Sequence, residues 1–232
     1  MQKLDTPTQL IETVYNAILD AICDGRLLPN ERITQEGLAE TLGVSRQPIL
    51  QAFHMLKREG FITDAGRKGV MVTPLDPQQL IDLYQIRAAL DGLAARQAAE
   101  RMKTQHNPEQ QKIGEALIMA GRQAASNGVA ANMIVADINF HQFIYQTSGN
   151  RMIAATALIH WNHIRRAMGA ILLSDIRPSD RVWDEHQAIL EAVITGNATQ
   201  ADFLARRHAE SAAEHLASVL MSDEYAPIRK QA

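Results

Sequence analysis

Residues 26–73 constrain this chain more than any other stretch. Thr34 precedes a short apolar-periodic run carrying Leu38, Ala39 and Leu42, and Gly43 closes it. Ser45-Arg46-Gln47-Pro48 then opens a second run with Ile49, Ala52, Phe53 and Leu56 on one side, ended by Gly60. Threonine and serine are good helix caps, and glycine after a helix tolerates positive φ. Proline in a first helical turn costs little, because its missing N–H would lack an intrahelical partner anyway. Phe61-Ile62-Thr63 and Val70-Met71-Val72 read as two short strands around the turn-rich, basic segment Asp64–Gly69. A helix from near Thr8 to Asp24-Gly25, with Ile11, Val14, Tyr15, Ile18, Leu19 and Ile22 at helical spacing, precedes them. Leu27, Leu28 and Ile33 form a short extended link, broken by Pro29-Asn30. Together these predict a winged helix-turn-helix, a module that lays its second helix in the DNA major groove.

Composition neither advertises nor forbids that role. Formal net charge is −3. Between Val44 and Val70, however, five Lys/Arg face two acids, and a DNA-binding face needs a local positive patch rather than a basic protein. Ser45 can cap the helix or bond a phosphate, Arg46 can reach guanine or phosphate, and Gln47 can read adenine. Arg67 and Lys68 on the wing are placed for backbone phosphate or the minor groove. Each alone also reads as a solvated surface residue.

Beyond Pro74 and Pro77 the pattern is almost wholly helical. Helices are expected near 78–103, 108–126, 129–148, 150–173, 179–195 and 197–221, punctuated by Asn107-Pro108, Asn127-Gly128, Gly149-Asn150, Arg177-Pro178 and Gly196-Asn197. The Ala-rich stretch 88–99 reads as close helix packing. The expected fold is mainly α: a winged helix-turn-helix over residues 1–75 and an all-α six-helix bundle over 76–232.

The bundle carries a set of nitrogen and oxygen donors. Asp137 and His141 stand at i and i+4, so they share a helix face. His186 and His208 fall on two other helices, beside Ile189 and Leu190 and beside Phe203 and Leu204. Two readings of this set stand: satisfied core histidines, or a divalent metal site built in a bundle interior. One Asp and three His suit zinc, nickel, manganese or iron. Arg87 is either a carboxylate anchor, its guanidinium fork matching a carboxylate, or an i,i+4 surface partner of Asp91. Tyr84 lies one turn earlier on the same face. Asn162, with His160 and His163, sits on another helix that can line a cavity. Glu185 adjoins His186 and is expected to face elsewhere.

The lone Cys23 cannot form an internal disulfide, so a reducing compartment fits. Asp5, Glu12 and Asp20 interrupt any N-terminal signal-like apolar run, and no stretch approaches the roughly 18–20 apolar residues of a membrane span. The expected setting is cytoplasmic, with no membrane partner.

These residues also carry a resemblance. Ile22-x-x-Gly25-x-Leu27-x-Pro29, Leu38-Ala39-x-x-Leu42-Gly43-Val44-Ser45-Arg46-x-Pro48, Leu56-x-x-Glu59-Gly60 and Gly69-x-x-Val72 resemble the GntR family of bacterial transcription regulators. The family usually continues Val-Arg-Glu-Ala-Leu after the proline, whereas this chain has Ile49-Leu50-Gln51-Ala52-Phe53. Leu50 stands where the family has an arginine that commonly contacts guanine. Leucine donates no hydrogen bond, and a bidentate Arg–guanine pair is worth about 1–3 kcal/mol of discrimination. Altered operator specificity is therefore expected, with Leu50 meeting a thymine methyl. The C-terminal half resembles the FCD ligand-sensing domain of the FadR-like branch: Arg87-x-x-Leu90-Asp91, Asp137-x-x-x-His141, Ser148-Gly149-Asn150, Glu185-His186-x-x-Ile189-Leu190, Gly196 and His208. In metal-binding members one Asp and three His hold the ion at these positions, and all four are present here. The resemblance implies a divalent metal, zinc first, at Asp137, His141, His186 and His208.

The expected function is transcription regulation. A homodimer would bind a double-stranded operator, and its affinity would be controlled by a small carboxylate bound near the metal, against Arg87, Tyr84 and Asn162. The alternatives are a repressor whose metal is purely structural, with no small effector, and a metal-dependent hydrolase. Against the hydrolase stand the lack of a well-placed general base and of a Gly-x-Ser-x-Gly nucleophile motif or a phosphate loop in the sequence.

Overall fold

The fold is taken from a computed structural model, which describes residues 8–66, 69–172 and 179–221. They divide into two units, one ending at Leu75 and the other spanning Asp76–Met221. In the first, α1 (Thr8–Cys23), β1 (Arg32–Ile33), α2 (Gln35–Leu42), α3 (Arg46–Arg58), β2 (Ile62–Asp64) and β3 (Val70–Val72) follow in order. Thr34 caps α2, its side chain accepting from the Gly37 N–H at 3.1 Å. Gly43 ends that helix at φ 65°, a left-handed conformation that a residue with a Cβ adopts only under strain. Ser45 occupies the cap position of α3 but makes no side-chain capping bond, which leaves its hydroxyl to the exposed side.

Ile49, Ala52, Phe53 and Leu56 bury one face of α3 against Val14, Ile18 and Ile22 of α1. Leu56 and Ile49 are fully enclosed. Truncating either to alanine removes about 2–5 kcal/mol, the usual range for a packed aliphatic core residue. The sheet has three antiparallel strands in the order β1-β3-β2, with Ile33 opposite Val70 and Ile62 opposite Val72. The link before Thr34 thus supplies a third strand, too short at two residues to show alternation in sequence. Phe61 precedes β2 instead of belonging to it, and its ring is buried in the core. Arg67 and Lys68, the expected wing contacts, lie outside the described residues.

The second unit contains α4 (Pro77–Gln105), α5 (Pro108–Asn127), α6 (Ala130–Ser148), α7 (Arg151–Leu172), α8 (Ser179–Ile194) and α9 (Ala198–Met221). Asp76 and Asn107 cap α4 and α5, each followed by proline in the first turn. The axis of the bundle is α4, which packs on α6, α7, α8 and α9. Its Ala94, Ala95, Ala98 and Ala99 and the α9 residues Ala201, Ala205, Ala209 and Ala212 are buried. Small side chains on both helices let the two backbones approach closely. Phe203, expected beside His208 in the core, is instead 59% exposed, because the buried face of α9 is the alanine stripe. Among the described residues, no helix is long and apolar enough to cross a membrane.

Candidate metal centre and DNA-reading helix

Four helices aim polar side chains at one point inside the bundle. Helical spacing puts Tyr84, Arg87 and Asp91 on one face of α4, and Asp137, His141 and Tyr145 on one face of α6. Glu185 and His186 come from α8, and His208 from α9. Asp137, His141, His186 and His208 are all buried, and one donor atom from each lies within 4.8 Å of the others. His186 Nε2 is 3.1 Å from His208 Nε2 and 3.5 Å from Asp137 Oδ1. His141 Nε2 is 3.8 Å from Asp137 Oδ2. Phe140 stacks on the His186 ring at 4.3 Å and Trp183 meets it edge-on at 4.8 Å, which fixes the imidazole plane.

Hydrogen-bond capacity decides what this cluster suits. His208 Nδ1 lies 2.8 Å from Glu185 Oε2. A carboxylate accepts, so in the neutral ring Nδ1 carries the hydrogen and Nε2 is the acceptor, facing His186 Nε2 at 3.1 Å. The carboxylate–imidazole pairing is the arrangement that orients metal-ligating histidines and raises their basicity. Glu185 therefore does not face elsewhere: its side chain turns from α8 to α9. Asp137 Oδ2 is buried and has no hydrogen-bond partner among the described residues. Leaving a buried carboxylate oxygen unsatisfied costs about 1–3 kcal/mol, and more when it is charged. Three imidazoles and a carboxylate oxygen that makes no hydrogen bond are the donor set of a divalent ion of the zinc, nickel, manganese or iron type.

Arg87 and Asp91 do pair at i,i+4, Nε to Oδ2 at 3.3 Å, but in the interior and not on the surface. Arg87 Nη2 also reaches His141 Nε2 at 2.7 Å and lies 3.7 Å from Asp137 Oδ2. Burial works against its charge, but Asp91, Tyr84 and Asp137 outweigh it and hold the guanidinium protonated. Burial pushes the Asp91 carboxyl up, against the opposing pull of Arg87 and of the Tyr145 hydroxyl that donates to it. Burial, then Arg87 and the two other imidazoles, hold His141 well below its ordinary value of 6.5, so it is neutral and ligand-competent at neutral pH.

Of the expected effector residues, Tyr84 is buried with its ring 5.1 Å from the Arg87 Cζ. Asn162 is half-buried on α7 but lines neither of the small cavities beside the cluster; His160 and Trp161 line one of them instead, with Arg87 and Tyr145. Sequence reasoning did not single out Tyr145. Its place at i+4 from His141 and i+8 from Asp137 is the signal that puts it on the same face.

In the first unit, α3 exposes Arg46 and Gln47, with Leu50 half-buried one turn on. Ser45 is exposed at its start. Arg46 is ion-paired with Glu36 of α2, and both side chains remain largely solvated. Gln51 and His54 continue the outward side of α3; Gln51 is half-buried and His54 exposed.

Comparison with known proteins names the architecture. Residues 82–211 match the family model of the FCD domain, and residues 10–72 match that of the bacterial regulatory proteins of the gntR family. The chain belongs to the GntR family, with an FCD domain. This GntR-family regulator is 29% identical over 219 residues to the HTH-type transcriptional regulator YdhC of Bacillus subtilis (strain 168), covering 94% of this chain and 96% of that one. It is 28% identical over 206 residues to the probable D-xylose utilization operon transcriptional repressor of Paenarthrobacter nicotinovorans, covering 88% and 87%. Among solved structures, E. coli McbR/YncC superposes with a TM-score of 0.74 at 20% identity, over 89% of this chain and 96% of that chain. A GntR regulator from Rhodococcus sp. RHA1 gives 0.70 at 19% identity, over the same shares. At such identities the structures speak for the fold alone. The chain is a DNA-binding transcription regulator, and its family and relatives are regulators, not enzymes.

Proposed function

We propose that this regulator holds a divalent metal, zinc first, on Asp137, His141, His186 and His208, and that a small carboxylate bound beside it controls operator affinity. The single observation that carries the reading is the buried convergence of those four donors within 4.8 Å, with Asp137 Oδ2 left without a hydrogen bond among the described residues. Four protein ligands leave two positions open on a six-coordinate ion and none on a tetrahedral one. Arg87 supplies the fork for the carboxylate and Tyr84 supports it. Ser45, Arg46, Gln47 and Leu50 read the DNA, aided by Arg67 and Lys68. Residues 1–75 and 76–232 are the two domains, and the working form is a cytoplasmic homodimer that mirrors a two-fold operator. The relative from Paenarthrobacter nicotinovorans is a probable repressor, and repression is the proposed sense here.

A second reading has a specific observation in its favour. Among the described residues, two cavities beside the cluster each measure about 10 Å³, the size of one water. A metal that is purely structural, with no effector, needs no more room than that. The two readings separate in one experiment. Operator binding by fluorescence anisotropy is measured on metal-loaded and chelated protein, with and without a panel of small carboxylates. A carboxylate that shifts operator affinity only in loaded protein supports the first reading. Metal dependence with no carboxylate effect supports the second. An effect of neither removes both.

A further inference from the structure

Arg87 occupies the lone pair that a metal would need. A guanidinium has donors only, so at 2.7 Å the His141 Nε2 must be accepting from Arg87 Nη2. The His141 hydrogen is then on Nδ1, which faces Asp91 Oδ2 at 3.4 Å. Nε2 is also the His141 atom turned toward Asp137, at 3.8 Å. One nitrogen lone pair serves one partner. A divalent cation on His141 Nε2 and the guanidinium hydrogen bond to the same atom exclude each other, and two positive groups in so buried a place repel strongly.

Resting on the metal reading above, we propose that Arg87 is a built-in competitor for that cation, and that its displacement arms the effector site. Without metal, the guanidinium closes the cluster by binding His141 and lying beside Asp137. With metal, the Nη end leaves while Nε stays tied to Asp91, an anchor 3.3 Å away on its own helix. The freed fork remains between the Tyr84 and Trp161 rings, 5.1 and 5.2 Å from its Cζ, on the wall of the cavity lined by Leu83, Leu90 and His160. That cavity has room for about one water as it stands, so a carboxylate meets the fork in the space its Nη end vacates beside His141. A carboxylate on Arg87 keeps the guanidinium off His141, so metal and anion each tighten the other by the same factor, as linkage requires.

The test uses full-length, metal-free protein, zinc as the probe competed against a chromophoric chelator, and acetate as the anion. An H186A/H208A variant gives the background from surface histidines. Arg87→Gln removes the competitor, and zinc binds it at least about 10-fold tighter than wild type, the loss of one charge-assisted hydrogen bond. Acetate tightens zinc binding in wild type and has no such effect in R87Q. Equal or weaker zinc binding in R87Q overturns the proposal, as does an acetate effect of the same size in both proteins. In either case wild type still binds zinc and the metal reading survives; loss of zinc binding in wild type removes both. Should R87Q not fold, side-chain ¹⁵N NMR of wild type decides. The Arg87 guanidinium signals move when zinc is added, and unmoved signals overturn the proposal.

Discussion

Glu185 on α8 reaches across to α9, its Oε2 2.8 Å from His208 Nδ1. That contact sets which nitrogen of His208 faces the cluster. Glu185→Ala releases the tautomer, and divalent-ion affinity falls by about 10–100-fold, the usual cost of losing a carboxylate behind a ligating imidazole. Competition against a chelator measures it, with circular dichroism to show the helices intact. Unchanged affinity would remove Glu185 from the account.

Acidification of metal-free protein weakens the bundle through His141. Its folded value lies well below the ordinary 6.5, so the unfolded chain binds the proton first as pH falls. The stabilisation is fully present above 6.5 and is lost as pH drops from there toward the folded value. The slope from this group approaches about 1.4 kcal/mol per pH unit. His141→Gln still accepts from Arg87 but does not titrate. Denaturant unfolding at pH 7.5 and 5.5, in chelator, shows a smaller loss for H141Q than for wild type; equal losses contradict the assignment.

On the DNA-reading helix, Arg46 is exposed and its partner is Glu36. Arg46→Ala weakens operator binding and lowers the slope of log affinity against log salt by about 1 if the contact is to phosphate. Breaking the surface pair instead, with Glu36→Gln, frees Arg46 and strengthens binding slightly, since such a pair is worth at most about 1 kcal/mol. Leu50→Arg shifts the preferred operator toward guanine at the contacted step, by about 1–3 kcal/mol. Binding-site selection on wild type and L50R reads this directly, and identical selected sites would show that position 50 meets no base.

A methyl group at Gly121 would fall 2.0 Å from the Trp183 ring, and Trp183 packs on His186. Gly121→Ala therefore overpacks the wall behind the cluster. Stability drops by about 1–3 kcal/mol, and metal affinity falls with it. Thermal unfolding with and without zinc checks both, and a variant as stable as wild type would contradict the packing argument.

The winged module was legible because its punctuation is local. Thr34 caps α2 and Gly43 ends it with a positive φ, and both roles follow from residue type alone. The two-residue β1 was not, because its pairing with β3 is a tertiary fact with no periodicity behind it. Asp137 and His141 announced themselves by i,i+4 spacing. Glu185 did not, since adjacency to His186 on one helix hides a partner on another. Phe203 misled for a related reason: apolar residues near His208 suggested the core side, while the buried face of α9 beside it is a run of alanines, Ala201, Ala205, Ala209 and Ala212. Arg87 and Asp91 do pair at i,i+4, but in the interior, because spacing along one helix does not show which neighbours cover it.

The account stands or falls on the ion. Anomalous diffraction from crystals of zinc-loaded protein, collected above and below the zinc edge, tests it most directly. A single strong peak per chain, within about 2.0–2.2 Å of Asp137, His141, His186 and His208, is the predicted result. Peaks only at surface histidines, with those four side chains still bonded to one another and to Arg87, would contradict it.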